Sequence, residues 1–196
     1  RSPSRGLGDV YKRQVVTDTG SNLIWTMQSL IPRNGQRIIS AFNHSPMGYS
    51  IAASVGAFYG QPSGPPIICI IGDGGFQINV QELAVISKHN LNIKIFVMNN
   101  HCHGIIQGTQ NIWLEGRHHA ASPKEGKLPD PDVKKIANAY NINSLYIDQH
   151  IHVSKIIDEA FNNSNPNLID VNMLEKPQIE PKFCLLYTSP SPRDGL

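Results

Sequence analysis

The chain has 196 residues, of which 17 are Lys or Arg and 15 are Asp or Glu, for a formal charge of +2. A balance so close to neutral excludes the strongly basic surface that binds nucleic acid or an anionic membrane. No apolar run approaches the roughly 20 residues of a membrane-spanning helix, so the expectation is one domain with a sizeable core.

The first stretch in chain order is unlike the body of the chain. Residues 4–14 read SRGLGDVYKRQ and residues 184–193 read CLLYTSPSPR. One DNA sequence that encodes the first string encodes the second on its opposite strand, and the string resembles a transposon adaptor used in sequencing libraries. Residues 1–14 and 184–196 are therefore expected to be adaptor-derived scars, and 15–183 the genuine domain, a piece of a longer gene. Five of the 17 basic residues (Arg1, Arg5, Lys12, Arg13, Arg193) and two of the 15 acidic ones (Asp9, Asp194) fall in these ends, which leaves 12 against 13 and a formal charge of −1. Cys184 falls there too. The remaining Cys69 and Cys102 lack metal-type spacing and suit a reducing compartment, so the expected location is cytoplasmic.

From residue 15 onward, short β-branched runs alternate with helical patterns. Val15 to Thr17 is a short apolar run, broken by Asp18-Thr19-Gly20-Ser21-Asn22, and Leu23 to Leu30 suits a helix. Arg37 to Phe42 reads as a strand, and Met47 to Tyr59, rich in Ala and Gly, as a buried helix. Ile67 to Ile71 is a continuous apolar run, as in a strand covered on both faces. Phe76, Val80, Leu83, Ala84 and Ser87 recur near the helical period, which predicts one helix over 76–88. Ile93 to Met98 is the next buried strand. Residues 108–130 show little periodicity and read as a long loop. Asp132 to Tyr140, Ser144 to Ile147, Val153 to Phe161 and Leu168 to Val171 then predict helix, strand, helix and strand. The alternation predicts an α/β domain: a doubly wound, mostly parallel sheet with helices on both faces. Ligands of such sheets bind at strand carboxyl ends, where Gly72-Asp73-Gly74-Gly75 and Asn99-Asn100 both fall.

The glycine turn admits three readings. A P-loop needs Lys and Ser/Thr after its glycines, whereas Phe76-Gln77 stands here. A dinucleotide fingerprint needs a third Gly where Gln77 stands. The third reading uses the acid. Gly74 and Gly75 open a helix whose free amides favour a diphosphate, and Asp73 ligates a Mg²⁺ that bridges to it. The second protein ligand should stand at the end of a neighbouring strand, and Asn99-Asn100 does, with 24 residues between Gly74 and Asn99.

Gly-Asp-Gly, about two dozen residues and Asn-Asn together resemble the signature of thiamine-diphosphate (ThDP) enzymes. The likeness covers nearly all of 15–183 and is to the C-terminal diphosphate-binding domain of the acetolactate synthase and pyruvate decarboxylase group. It implies ThDP and Mg²⁺ as cofactors, with Asp73, the Asn100 side chain and the Cys102 carbonyl as metal ligands. Cys102 stands where the wider family often has Gly, and a side chain there costs about 1 kcal/mol if φ must be positive. The resemblance further implies phosphate contacts from Gly72, Gly74, Gly75, Gly104 and Ile105, and from the earlier turn Gly20, Ser21 and Asn22. Ser45 would accept from the aminopyrimidine through its carbonyl, and the Met47 side chain would wedge between the cofactor rings; by residue type alone Met47 equally suits core packing.

His103 stands beside the cofactor in the family pattern, which makes it a candidate to face substrate. His101-Cys102-His103 also admits a transition-metal reading. His118 and His119 read as solvated loop residues, and Trp113 suits either a lid or a packing role. The family's activating glutamate lies on a separate pyrimidine-binding domain, which normally faces this one across a homodimer interface, and nothing in 15–183 matches it. The resemblance therefore implies a 2-oxo acid decarboxylase or carboligase, a transferase or lyase, whose C-terminal domain is inactive alone. The alternatives are a half-site or non-catalytic subunit and a 2-hydroxyacyl-CoA lyase-like enzyme.

Overall fold

The computed structural model describes residues 13–174 and residue 179. The apolar run beginning at Ile67 forms β3 (Ile67–Gly72), near the middle of a six-stranded sheet. Its companions are β1 (Gln14–Thr17), β2 (Arg37–Ile39), β4 (Ile93–Asn99), β5 (Asn143–Ile147) and β6 (Asn167–Asn172). The order is β2-β1-β3-β4-β6-β5 and every pairing is parallel. The helices are α1 (Ser21–Ser29), α2 (Tyr49–Gly60), α3 (Asp73–Ile78), α4 (Leu83–Lys88), α5 (Gly104–Trp113), α6 (Pro123–Gly126), α7 (Val133–Ala139) and α8 (Val153–Phe161). No helix among the described residues is long and apolar enough to cross a membrane.

Alternate residues of β3 face opposite layers. Ile67, Cys69 and Ile71 join Ile51 of α2, Phe76 of α3, Leu83 and Ile86 of α4 and Val133 and Ala137 of α7 in the main core. Each such aliphatic side chain contributes about 1.5–3 kcal/mol on burial. Ile68 and Ile70 point the other way, towards α1 and α8, where a groove of about 500 Å³ reaches Trp25, Phe96 and Phe161. A second cluster, around Ile147, Ala160 and Ile169, seats α8 on that face. Helices thus cover both faces of a wholly parallel sheet, as the alternation of elements requires.

Three local differences have physical causes. The helix expected over 76–88 starts earlier, at Asp73, and breaks at Asn79 (φ −122°, ψ 31°) before a 3₁₀ turn, Val80–Glu82, leads into α4. Asn79 Nδ2 donates to the Gly48 carbonyl at 2.9 Å, so a side chain that competes with helical hydrogen bonding is engaged elsewhere. β2 stops at Ile39 because its one partner, β1, ends after Thr17. The segment expected as loop from 108 is helical to Trp113. Ile105 and Ile106 recur as Ile112 and Trp113 seven residues on, an apolar stripe of helical spacing that a loop begun at 108 cuts in two; all four are 40–69% exposed. Of the adaptor-like ends, 1–12 and 184–196 lie outside the described residues; Gln14 pairs with Arg37, and the Arg13 guanidinium stands 4.3 Å from the Phe161 ring centre.

Lys94 begins the deepest part of β4 and is fully buried. Its Nζ donates to the carbonyls of Asn163 and Asn165, at 3.0 and 2.6 Å, and so holds the turn between α8 and β6. Burial, aided by Arg13, lowers its pKa from 10.5 to about 8. The unfolded chain therefore binds more protons between those two values, and the stability contributed at this site rises with pH across that window. The stability of the wild-type chain relative to Lys94→Met should increase between about pH 7.5 and about pH 10 in denaturant titrations. A difference that stays constant or shrinks would count against this assignment.

Candidate functional site

The site follows from the topology. From β1 the chain runs outward to β2 and then returns past β1 to β3. Such a reversal opens a crevice at the carboxyl ends of the two diverging strands. Gly72 of β3 is in register with Met98 of β4, so Asp73 and Asn99-Asn100 leave adjacent strands side by side.

Asp73 opens α3 and ties two turns together. Its Oδ1 accepts from the Gly74 amide at 2.9 Å and its Oδ2 from the Cys102 amide at 3.1 Å. Burial pushes its pKa above the ordinary 3.8, against the lowering influence of the Gly74 and Cys102 amides and of His103 and His101. Asn100 is buried, and its Nδ2 donates to Cys102 Sγ at 3.0 Å. The Cys102 carbonyl accepts from the Gly104 amide at 3.1 Å. The strain expected at Cys102 falls one residue earlier: His101 has φ 56°, and Cys102 is not among the residues of positive φ.

The glycine turn leaves no room for side chains. A Cβ on Gly74 would stand 2.5 Å from His103 Cε1 and 3.0 Å from Met47 Cε, and one on Gly75 would stand 2.8 Å from Asp18 Oδ2. His103 and Met47 therefore meet over Gly74. Ser45, in the left-handed region at φ 42°, donates from its amide to the Ala41 carbonyl at 2.8 Å and places the segment that leads to Met47.

Asp18 is the residue whose importance the sequence concealed. It is 1% exposed at the end of β1. Its Oδ1 accepts from the Thr19 amide at 2.7 Å, and its Oδ2 from the Gly48 amide at 2.8 Å. Burial raises its pKa, and the amides of Thr19, Gly48 and Ser50 pull the other way. An Asp before Thr-Gly reads locally as a turn former; a partner 30 positions away leaves no local signal.

Gly20 to Asn22, Ser45, Met47, Gly72 to Gly75, Asn100 and Cys102 to Ile105 all line one cavity of about 340 Å³, within the size range of small-molecule sites. Trp25, Met98, Ile106 and Met173 line it as well and carried no sequence signal. Asp73 is the one carboxylate among the lining residues. Trp113, His118 and His119 are not part of the lining; His118 Nε2 instead lies 2.7 Å from Asn111 Oδ1. The His101 ring turns to Asp130, and no group of three His, Cys, Asp or Glu side chains among the described residues is placed to hold a metal. His101, Cys102 and His103 are thus not gathered into such a group.

Comparison with known proteins agrees with this geometry. Residues 18–171 match the family model described as thiamine pyrophosphate enzyme, C-terminal TPP binding domain. The chain is similar to the acetolactate synthase large subunit of Cyanidium caldarium, 32% identical over 154 residues, which cover 79% of this chain and 26% of that protein. It is 29% identical over 168 residues to the acetolactate synthase isozyme 2 large subunit of Escherichia coli (strain K12), covering 85% of this chain and 30% of the relative. The acetolactate synthase large subunit of Lactococcus lactis is 30% identical over 170 residues, covering 85% and 28%. The chain thus spans between about a quarter and a third of the length of these relatives.

Proposed function

Because the chain belongs to the family of thiamine pyrophosphate enzymes with a C-terminal TPP binding domain, we propose that it holds the diphosphate and Mg²⁺ of ThDP in an acetolactate synthase-like decarboxylase or carboligase acting on a 2-oxo acid. The observation that carries this reading is the convergence, on one cavity, of the Asp73 carboxylate, the Asn100–Cys102 turn and the glycine turn.

The residues fit the group. Asp73, the Asn100 amide oxygen and the Cys102 carbonyl are hard oxygen donors of the kind Mg²⁺ takes, together with phosphate oxygens and water. A cation there would favour the charged form of Asp73, which burial disfavours. Gly74 and Gly75 let an anion approach the backbone where a Cβ has no space. Their neighbouring amides now bond internally, Gly74 to Asp73 and Gly104 to Cys102, so anion binding would exchange these bonds. Ser45 and Met47 would seat the aminopyrimidine at the other end of the cavity. ThDP, when bound, supplies the electron sink that lets a 2-oxo acid lose carbon dioxide; the chain's own residues bind and orient it.

The cavity holds no second carboxylate to activate the pyrimidine. We assign that role to a glutamate on a pyrimidine-binding domain, facing this one across a homodimer interface. The limited share of the relatives' length that the chain spans and the exposed apolar residues of α5 beside the cavity support this. Cys69 and Cys102, both outside any disulfide, are in keeping with a cytoplasmic location. The chain alone should show no detectable decarboxylation of pyruvate with ThDP and Mg²⁺ present, and activity should appear when a pyrimidine-binding domain is supplied. Clear turnover by the chain alone would refute the division of labour.

A further inference from the structure

We propose that His101 and Asp130 are positioning residues whose hydrogen bond holds the Asn100–His103 turn in the shape that presents the Cys102 carbonyl to the cavity. The inference rests on reading that cavity as a cation and diphosphate site.

The turn needs holding. His101 lies in the left-handed region at φ 56°, which an L side chain disfavours. Its amides are tied one by one: His101 to Asn99 Oδ1 at 3.2 Å, Cys102 to Asp73 Oδ2 at 3.1 Å and His103 to the Ala121 carbonyl at 2.9 Å. Two of these acceptors, on Asn99 and Asp73, sit at the ends of the strands. The third begins the segment that carries Asp130. That segment returns to the turn a second time, where both Asp130 oxygens stand 3.0 Å from His101 Nδ1.

Exposed pairs are usually weak, because two mobile side chains must be ordered to make them. His101 and Asp130 are 43% and 38% exposed, yet neither is free to wander. The His101 backbone is fixed by the turn. Asp130 is followed by Pro131, which fixes its own φ, and by Asp132, which caps α7 by accepting from the Lys135 amide at 3.0 Å. Val133 and Ala137 anchor α7 in the main core. The bond therefore braces the metal-side turn against a helix seated on the sheet. Without it, the turn keeps its amide bonds to Asn99, Asp73 and Ala121 but loses its tie to α7, and the Cys102 carbonyl is held less firmly towards the cavity.

Binding of Mn²⁺ in the presence of inorganic diphosphate, followed on the full chain by electron paramagnetic resonance of the free ion, tests this directly. Asp130→Ala and His101→Ala should each weaken Mn²⁺ binding about ten-fold, the low end for residues that orient a metal ligand. The double variant should be no weaker than either single one, because both remove one bond. Asp130→Glu should recover most of the affinity, and the thermal midpoint of the metal-free variants should stay at the wild-type value. Unchanged affinity in the single variants, or losses that multiply in the double, would overturn the proposal while leaving the site intact. A wild-type chain that binds no Mn²⁺ with diphosphate would overturn the site and the brace together.

Discussion

Asp73→Ala should weaken Mg²⁺-dependent diphosphate binding by more than about 100-fold, while the chain stays folded. Residues that merely orient a metal ligand are worth about 10–100-fold in affinity, and loss of the one carboxylate in the cavity removes a ligand itself. The diphosphate then lacks the bridging cation that compensates its charge. The fold is spared because two effects oppose each other. The Gly74 and Cys102 amides lose their acceptor, at 2.9 and 3.1 Å. In return, a carboxylate disfavoured by burial is removed. The net change in stability should lie within about 1 kcal/mol. Calorimetry of diphosphate binding beside a denaturant titration checks both halves. A variant that unfolds, or one that still binds with Mg²⁺, contradicts the assignment of Asp73 as a ligand.

Gly48→Ala has the largest expected cost to the fold. Gly48 is held at φ 85°, ψ −3°, where an L residue pays about 1–2 kcal/mol. Its Cβ would meet Asn79 Nδ2 at 3.1 Å, and the Gly75 carbonyl and Ile78 Cβ at 3.2 Å. Overpacking of this kind adds about 1–3 kcal/mol. Rotation offers no escape, since Asp18 holds the Gly48 amide at 2.8 Å and Asn79 holds its carbonyl at 2.9 Å. The loss should be about 2–5 kcal/mol in all, or about 4–20 °C in thermal midpoint for a chain of this size. Gly56→Ala, inside the helix that Gly48 precedes and with nothing within 4 Å of its Cβ, should instead be neutral or stabilising by about 0.5–1 kcal/mol. Equal midpoints for the two variants would remove the case for the clamp.

The sheet was legible because its strands are continuous β-branched runs separated by helical periods. The pairing of Asp73 with Asn100 was legible for a related reason: one helical crossover, broken at Asn79, and one strand between two strand ends fix the spacing. What stayed hidden depends on contacts distant in sequence. Asp18 gains its meaning only when Gly48 folds onto it. The break at Asn79 follows from a carbonyl 31 positions earlier. α5 was missed because its apolar stripe, Ile105 and Ile106 with Ile112 and Trp113, is interrupted by the polar and glycine residues of 107–111. The left-handed residue of the Asn100–His103 turn is His101, not Cys102. Backbone strain at a turn is set by the acceptors around it, and these lie on Asn99, Asp73 and Ala121.

Calorimetric titration of the chain with ThDP, with and without Mg²⁺, tests the central claim most directly. With half of the cofactor pocket on another domain, binding should be weak. It should require Mg²⁺ and be competed by inorganic diphosphate, because the cation and the glycine turn are the chain's main hold on the ligand. Binding of equal strength without metal, or binding that diphosphate fails to displace, would contradict the site built from Asp73, Asn100 and Cys102.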